Sequence, residues 1–289
     1  MAENNGIKLT YISIIGNAGL ALIKGVAGVL GNSYALVADA IESTGDIFSS
    51  MLVLFGLKYA SKPADENHPY GHGRIEPLIT FAVVGFLILS ATLIAYESIQ
   101  NIRTPHELPK PYTLIVLIFV IVIKEIFSRI VLKTSGEIKS SSLKADAWHH
   151  RSDAITSAAA FIGISIALIF GKGYETADDW AALLSSGIIF FNAYLIFRTA
   201  LSEIMDEHVY DDLTAEIRKI SKEVNGVLDT EKCRIRKSGL TYFVDLHILV
   251  KATLTVKEGH DIAHDLKNEL RSQLPQISDV LIHVEPKEF

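Results

Sequence analysis

The sequence has few of the residues on which several protein classes depend. It contains one cysteine, Cys233, which excludes an intrachain disulfide and a cysteine-based zinc cluster. It has no excess of positive charge: the formal net charge is -6, whereas a nucleic-acid-binding protein needs a basic surface. The start, MAENNGIKLT, has one lysine, and no small-residue cleavage site follows it, so we expect a retained first helix rather than a signal peptide.

Apolar residues, in contrast, are abundant and occur in long blocks. They make up 49% of the chain, and the mean hydropathy is +0.30. Blocks of about 20 apolar residues are long enough to span the hydrocarbon layer of a bilayer. The sequence therefore predicts an α-helical, multi-pass integral membrane protein with six transmembrane helices, at residues 10–30, 34–59, 78–100, 112–133, 147–170 and 178–201.

The distribution of lysine and arginine between the loops predicts the orientation in the membrane. With their flanks, the loops after the second and fourth blocks hold seven basic residues, against three on the other side. By the positive-inside rule, both termini and the two richer loops lie in the cytoplasm. The loops are short and the loop after the fourth block has no histidine, which favours a bacterial inner (cell) membrane protein.

The pattern changes after residue 205. Two amphipathic helical segments and three strand-like segments follow in the order α-β-β-α-β, which suits a small α+β domain with helices on one face of a sheet. In the stretch TYFVDLHILVK, the side chains of Val244, Leu246 and Ile248 alternate with those of Phe243, Asp245 and His247. We therefore predict a membrane domain over 1–205 and a cytoplasmic domain over 206–289.

Two of the predicted membrane helices each carry a polar stripe. The second contains VADAIESTGD, in which Glu42 and Asp46 lie four residues apart. The fifth contains DAWHHRSDAITS, in which His149 and Asp153 have the same spacing. Residues four apart share one face of a helix, and a charged side chain at the bilayer centre costs about 2.5–3.5 kcal/mol on insertion scales. These faces therefore point away from lipid, towards a functional site.

If the two stripes face each other, Glu42, Asp46, His149 and Asp153 converge. Three carboxylates and an imidazole suit Zn²⁺ in tetrahedral geometry and also accept Mn²⁺, Fe²⁺ or Co²⁺. His150 could replace His149, although only His149 has the four-residue step to Asp153.

Three further charged residues of the predicted membrane helices or their ends are not expected to bind the ion. Asp39 and Asp146 each lie near a predicted helix end, where capping or solvation suffices. Lys24 lies near the outer end of the first helix and is expected to extend its ammonium to the interface.

These motifs, together with the loop PADENHPYGHG and the α-β-β-α-β tail, resemble the cation diffusion facilitator family over nearly the whole chain. The resemblance implies a homodimeric exporter of divalent metal ions, exchanging them for protons by alternating access, with a ferredoxin-like cytoplasmic domain. It implies that Glu42, Asp46, His149 and Asp153 form the transport site. Many zinc-selective members have aspartate where this chain has Glu42, which leaves the preferred metal open among Zn²⁺, Fe²⁺, Mn²⁺, Co²⁺ and Cd²⁺.

The resemblance implies further sites outside the membrane. In the loop, the spacing D-x-x-H-x-x-x-H can wrap one ion, and the family's second site would be formed by Asp65, His68 and His72. In the tail, regulatory zinc or another divalent ion would bind at the interface of two cytoplasmic domains. The tail ligands that match best are His247, His260, His283 and Glu285.

The resemblance also implies that Arg74 and Asp206 form a charge pair between the membrane and cytoplasmic parts.

Two other function classes are weighed against transport. An intramembrane metalloenzyme such as a protease is disfavoured, because the sequence has no H-E-x-x-H and the ligand set leaves no obvious general base. We therefore expect no enzymatic activity. A membrane-anchored metal sensor without transport would explain the tail histidines but would leave the intramembrane ligands without a purpose.

Overall fold

The structure is a computed structural model whose backbone is described for residues 2–31, 34–103, 110–171, 173–174 and 176–287. Side chains are described for the same residues except 2–5, 28, 31, 34–39, 41, 42, 45, 160, 167 and 178. Six long helices come first: α1 (Ala2–Gly31), α2 (Tyr34–Ala60), α3 (Ile75–Arg103), α4 (Thr113–Ile138), α5 (Ser141–Phe170) and α6 (Ala177–Ile204). The tail follows as α7 (Asp211–Glu223), β1 (Asp229–Ser238), β2 (Thr241–Lys251), α8 (Val256–Gln273) and β3 (Ile277–Lys287).

Membrane-crossing segments are evident among the described residues. Four stretches are long and apolar enough to cross a bilayer: Gly6–Ala27, Ile75–Arg103, Ser141–Phe170 and Asp179–Ile204. Helix α4 is also long, but it carries Lys124, Glu125 and Arg129 within its apolar run. Side chains of valine, leucine and alanine from several of the six helices form a buried apolar core.

The tail forms a three-stranded sheet in the order β1-β2-β3, in which β1 pairs antiparallel and β3 pairs parallel with β2. The predicted alternation along β2 is confirmed: Val244, Leu246 and Ile248 are buried, and they share a core with apolar residues of α7 and α8. Because both helices pack on that face, the opposite face presents Phe243 and His247, whose side chains are partly exposed.

By contacts, the chain divides into two compact units. The membrane unit comprises Met1–Tyr59 and Ile75–Ala200, and the tail unit comprises Ala60–Arg74 and Leu201–Phe289. The histidine-containing loop after α2 thus belongs with the tail rather than with the helix bundle. The β1–β2 turn packs against this loop, since a Cβ on Gly73 would lie 2.5 Å from the Ser238 carbonyl group. Gly239 in that turn has φ +63, a left-handed conformation that favours glycine.

Candidate metal-transport site

The polar stripes of α2 and α5 meet inside the membrane unit. His149 Nε2 lies 2.6 Å from Asp46 Oδ1, and Asp153 is close enough that all three residues offer ligand atoms within 4.8 Å of one another. Asp46 and His149 are buried, with 3% and 2% of their surface exposed. Three of the four predicted ligands therefore converge. The side chain of Glu42 lies outside the described residues.

A lysine that was not predicted as a site residue lies between the two carboxylates. Lys124 Nζ in α4 donates hydrogen bonds to Asp46 Oδ2 at 2.8 Å and to Asp153 Oδ2 at 2.6 Å. It also donates to Asn17 Oδ1 in α1 at 3.1 Å. The lysine side chain is completely buried. Four helices therefore contribute to the site: α1, α2, α4 and α5.

A signal for Lys124 exists in the sequence. It lies in the middle of the run VLIFVIVIKEIFSRIVL, where an intramembrane cation marks a functional site by default. The four-residue spacing that identifies the ligand pairs does not apply to a single charge. Which helix faces which stripe is decided by tertiary packing, so the partner carboxylates could not be assigned from the pattern alone.

A second polar layer adjoins these ligands. Ser50 donates to Asp146 Oδ1 at 3.2 Å, and Ser13 Oγ lies 2.6 Å from His150 Nε2. Asp146 is fully buried, so the expectation that it is solvated at a helix end was wrong. The reason is that α5 begins at Ser141, six residues earlier than predicted. His150 pairs with Ser13 and is not part of the converging ligand cluster, which contains His149.

The early start of α5 has a clear local cause. Glu76, at the beginning of α3, accepts hydrogen bonds from the hydroxyl groups of Ser140 and Ser142 and, at 3.4 Å, from the backbone N–H of Ser142. A carboxylate at a helix N-terminus satisfies backbone donors and interacts favourably with the helix dipole. Glu76 thereby fixes the first turn of the helix that carries His149 and Asp153.

Lys24 does not extend to the membrane interface as predicted. Its side chain is buried, with 1% of its surface exposed, and Nζ donates to Ser43 Oγ in α2 at 2.9 Å. The prediction was wrong because a hydroxyl group on the neighbouring helix provides an acceptor inside the bundle. Lys24 thus joins α1 to the helix that carries Asp46.

The loop residues Asp65, His68 and His72 also come together. Their ligand atoms lie within 4.8 Å of one another, and the two imidazole rings are 4.3 Å apart. A hydrogen bond from the His68 backbone N–H lowers the pKa of Asp65, so this carboxylate is ionised at neutral pH. Asp65 and His68 are exposed and His72 is buried, an arrangement that could hold a divalent ion at the protein surface.

In the tail, three of the four predicted ligands converge. Parallel pairing places His247 opposite His283, and His247 Nδ1 lies 2.6 Å from Glu285 Oε1. The hydrogen bond with His247 lowers the pKa of Glu285. His260 is not in this cluster; its ring contacts that of His264 in a tilted arrangement, with centroids 4.6 Å apart, along the exposed side of α8.

The predicted charge pair is present. Arg74 Nη2 lies 2.9 Å from Asp206 Oδ1, and each side chain is nearly half exposed. Arg74 also donates to the backbone carbonyl of Glu203 at 3.1 Å. A second pair, which the sequence analysis did not identify, lies close by: Lys237 Nζ donates to Glu203 Oε1 at 2.7 Å, and both side chains are buried.

Family comparisons agree with this arrangement. The cation efflux transmembrane domain matches residues 10–205, and the cytoplasmic domain of cation efflux proteins matches residues 209–287. The chain belongs to the cation diffusion facilitator family. It is thus a multi-pass membrane protein of a family of divalent-metal efflux transporters, not enzymes.

Individual relatives span nearly the full chain. The manganese efflux system protein MneP of Bacillus subtilis is 32% identical over 287 residues, covering 96% of this chain and 95% of MneP. The cation-efflux pump FieF of Yersinia enterocolitica is 29% identical over 271 residues, covering 92% of this chain and 88% of FieF. A solved MamM C-terminal domain matches 28% of this chain and 100% of its own, at 21% identity and a TM-score of 0.27.

Proposed function

We propose that this protein exports a divalent metal cation in exchange for protons, by alternating access, as a homodimer. The transport site is formed by Glu42, Asp46, His149 and Asp153. The observation that carries the proposal is the convergence of Asp46, His149 and Asp153 on helices of the membrane unit. Asp46 and His149 are buried, and the side chain of Asp153 is 12% exposed. A divalent ion at this position offsets two buried carboxylates, which explains why membrane helices accommodate such charges.

The ligand set favours a divalent metal ion that prefers oxygen ligands. Carboxylates suit Mn²⁺, whereas imidazole suits Zn²⁺ and Fe²⁺. With Glu42, the site has three carboxylates and one imidazole. Mn²⁺ is therefore the first ion to test, consistent with the manganese efflux named for MneP, and Zn²⁺, Fe²⁺, Co²⁺ and Cd²⁺ complete the panel.

Proton exchange follows from competition for the same lone pairs. A metal ligand must be a neutral imidazole or an ionised carboxylate, so ion binding and protonation of His149, Asp46 or Asp153 exclude each other. Imidazole titrates near pH 6.5 in its reference state, which suits a proton carrier at physiological pH. Protons entering from the outside then displace the ion, and the protonated site returns to the cytoplasmic side.

The remaining features complete the proposed architecture. The protein would lie in a bacterial inner membrane, with six transmembrane helices over 1–205 and both termini in the cytoplasm. A ferredoxin-like cytoplasmic domain would follow over 206–289. That domain would mediate dimerisation and sense metal through His247, His283 and Glu285, while Asp65, His68 and His72 bind an ion in the loop. The Arg74–Asp206 pair would hold the loop after α2 against the segment that follows α6, within the tail unit.

The deciding experiment is metal-driven proton flux in proteoliposomes. We expect saturable flux with at least one ion of the panel, an opposing proton movement reported by a pH-sensitive dye, and loss of both in Asp46→Ala. Thr44→Ala, at an exposed position of the same helix, controls for general damage to α2. Wild-type flux in Asp46→Ala would show that the transport site is elsewhere.

A second candidate is a membrane-anchored metal sensor without transport. It is favoured by the tail cluster, in which His247, His283 and Glu285 form a ligand set independent of the membrane helices. Metal binding at the tail without flux of any ion across the bilayer would support this alternative.

A further inference from the structure

The surroundings of Lys124 carry an inference about how the transport site releases its substrate. An ammonium group has three N–H donors, and Lys124 Nζ has three acceptors within hydrogen-bond distance: Asp46, Asp153 and Asn17. Two of these acceptors are proposed metal ligands, and the third is a neutral amide. The side chain is completely buried.

We propose that Lys124 is a tethered cation that competes with the metal substrate for Asp46 and Asp153, so that ion and ammonium exchange places in each transport cycle. This inference rests on the proposed transport function. It assigns to Lys124 the role of setting how tightly the ion is held and how readily it leaves.

The competition follows from geometry and charge. A metal ion binds carboxylate oxygens at about 2.0–2.2 Å, and it would take lone pairs from the two carboxylates that now accept hydrogen bonds from Lys124. A divalent ion and an ammonium group at neighbouring positions repel each other in a buried, weakly screened site. The ion therefore binds most tightly when the ammonium moves away.

The Lys124 ammonium can move away from the carboxylates and keep a hydrogen-bond acceptor. Its flexible four-carbon stem allows the ammonium to shift without movement of the helix. Asn17 Oδ1 in α1 accepts one of its hydrogen bonds and is not a metal ligand in the proposed site. The ammonium can thus remain hydrogen-bonded at Asn17 while both carboxylates turn to the ion.

Exchange of this kind suits an exporter. When the ion leaves, the returning ammonium re-forms both charge-assisted hydrogen bonds, which lowers the barrier to release. It also compensates the charge of the carboxylates that stay ionised during the return step. Without Lys124, the site would hold its ion more tightly and turn over more slowly.

A purely structural ion pair is the competing explanation. In that case Lys124 would only tie α4 to α2 and α5, and its loss would weaken the protein and its metal binding together. The two explanations predict opposite changes in metal affinity, so affinity is the quantity to measure.

The test uses the full-length protein and Lys124→Gln, which keeps a hydrogen-bonding side chain but removes the charge. The readouts are equilibrium binding of Mn²⁺ and Zn²⁺ in detergent, with the fraction lost in Asp153→Ala assigned to the transport site, and the KM and kcat of flux in proteoliposomes. We expect Lys124→Gln to bind at least tenfold more tightly at this site, with KM and kcat both reduced. Lys24→Gln, which removes another buried lysine, is the matched control and should leave the affinity unchanged.

The outcomes separate this inference from the function on which it rests. Unchanged or weaker binding in Lys124→Gln, with binding still lost in Asp153→Ala, overturns the tethered cation but leaves the transport site intact. Wild-type binding and flux in Asp153→Ala overturn the proposed site itself. If Lys124→Gln does not fold, Lys124→Arg replaces it: the retained charge should keep affinity at or below the wild-type value, and tighter binding would overturn the inference.

Discussion

The membrane cluster and the tail cluster use the same ligand types in opposite environments. The side chains of Asp46 and His149 are buried and that of Asp153 is 12% exposed, whereas those of His247 and Glu285 are about one quarter exposed. The buried carboxylates are both paired with Lys124, while the ion-pair partners of Glu285 in the described structure are histidines. In these two clusters, the more deeply buried carboxylates have an ammonium group as counter-charge, whereas water can solvate the more exposed carboxylate of Glu285.

This difference suggests different roles for the two clusters. A buried site with a resident cation has to exchange charge for charge, as an ion-transport step requires. An exposed site with titratable partners can fill and empty according to the cytoplasmic metal concentration, as a sensor requires. The ligand types alone would not distinguish the two clusters, because both combine carboxylates with histidine.

Removing one carboxylate from each cluster gives the largest expected contrast. We expect Asp153→Ala to reduce metal flux by at least about 100-fold, because loss of a metal ligand costs at least as much as loss of its outer-shell partners. Glu285→Ala should reduce flux by about fivefold, the lower end of the typical range for coupling between two sites. Initial rates in proteoliposomes with matched protein content provide the measurement. Equal losses in the two variants would break the distinction.

The next contrast compares a buried with an exposed ion pair in the tail unit. Lys237→Met removes the ammonium that donates to the buried Glu203 and should destabilise the protein by about 3 kcal/mol, the lower end for breaking a buried pair. Asp206→Asn removes the charge from the exposed Arg74–Asp206 pair and should cost at most about 1 kcal/mol. Thermal unfolding of the detergent-solubilised protein ranks the two variants. A larger loss of stability in Asp206→Asn than in Lys237→Met would show that the exposed pair stabilises the fold more than its exposure predicts.

Parts of this arrangement were accessible from the sequence because they depend on local periodicity. The four-residue spacing placed His149 and Asp153 on one face, and two-residue alternation placed His247 on the open face of β2. Lys124 could not be placed, because its partners lie 78 and 29 residues away along the chain. The burial of Asp146 was equally inaccessible, since it depends on Glu76 of α3 capping α5.

The position of His260 illustrates the same limit within the tail. Family resemblance names it with His247, His283 and Glu285 among the ligands at an interface between two cytoplasmic domains. Within one chain, α8 packs on the core side of the sheet while His247 lies on the open side. The ring of His260 contacts that of His264 instead. A match of residue types along the sequence does not specify which face of a sheet a helix covers.

This placement gives a prediction for metal stoichiometry. His247→Ala should remove one bound ion per protomer, measured by equilibrium dialysis of the full-length protein against Zn²⁺, because it deletes a member of the converging set. His260→Ala is the matched control and should leave the stoichiometry unchanged. The opposite result, with the ion lost only in His260→Ala, would show that the tail binds metal through α8, for example in a dimer that brings α8 to the sheet of its partner.

The smallest expected effect concerns an exposed carboxylate with no proposed ligand role. A hydrogen bond from the Thr230 backbone N–H, followed by the Lys222 ammonium, lowers the pKa of Asp229. A carboxylate with a lower pKa in the folded state stabilises the fold above its unfolded pKa of about 3.9, and this contribution is lost as the pH falls through the folded value. Asp229→Asn should therefore lower the melting temperature slightly at pH 7 and make no difference at the acidic end of the range. A difference in melting temperature that persists at low pH would mean that Asp229 acts through its shape and hydrogen bonding rather than through its charge. In that case the Lys222 ammonium would contribute nothing to stability as a counter-charge.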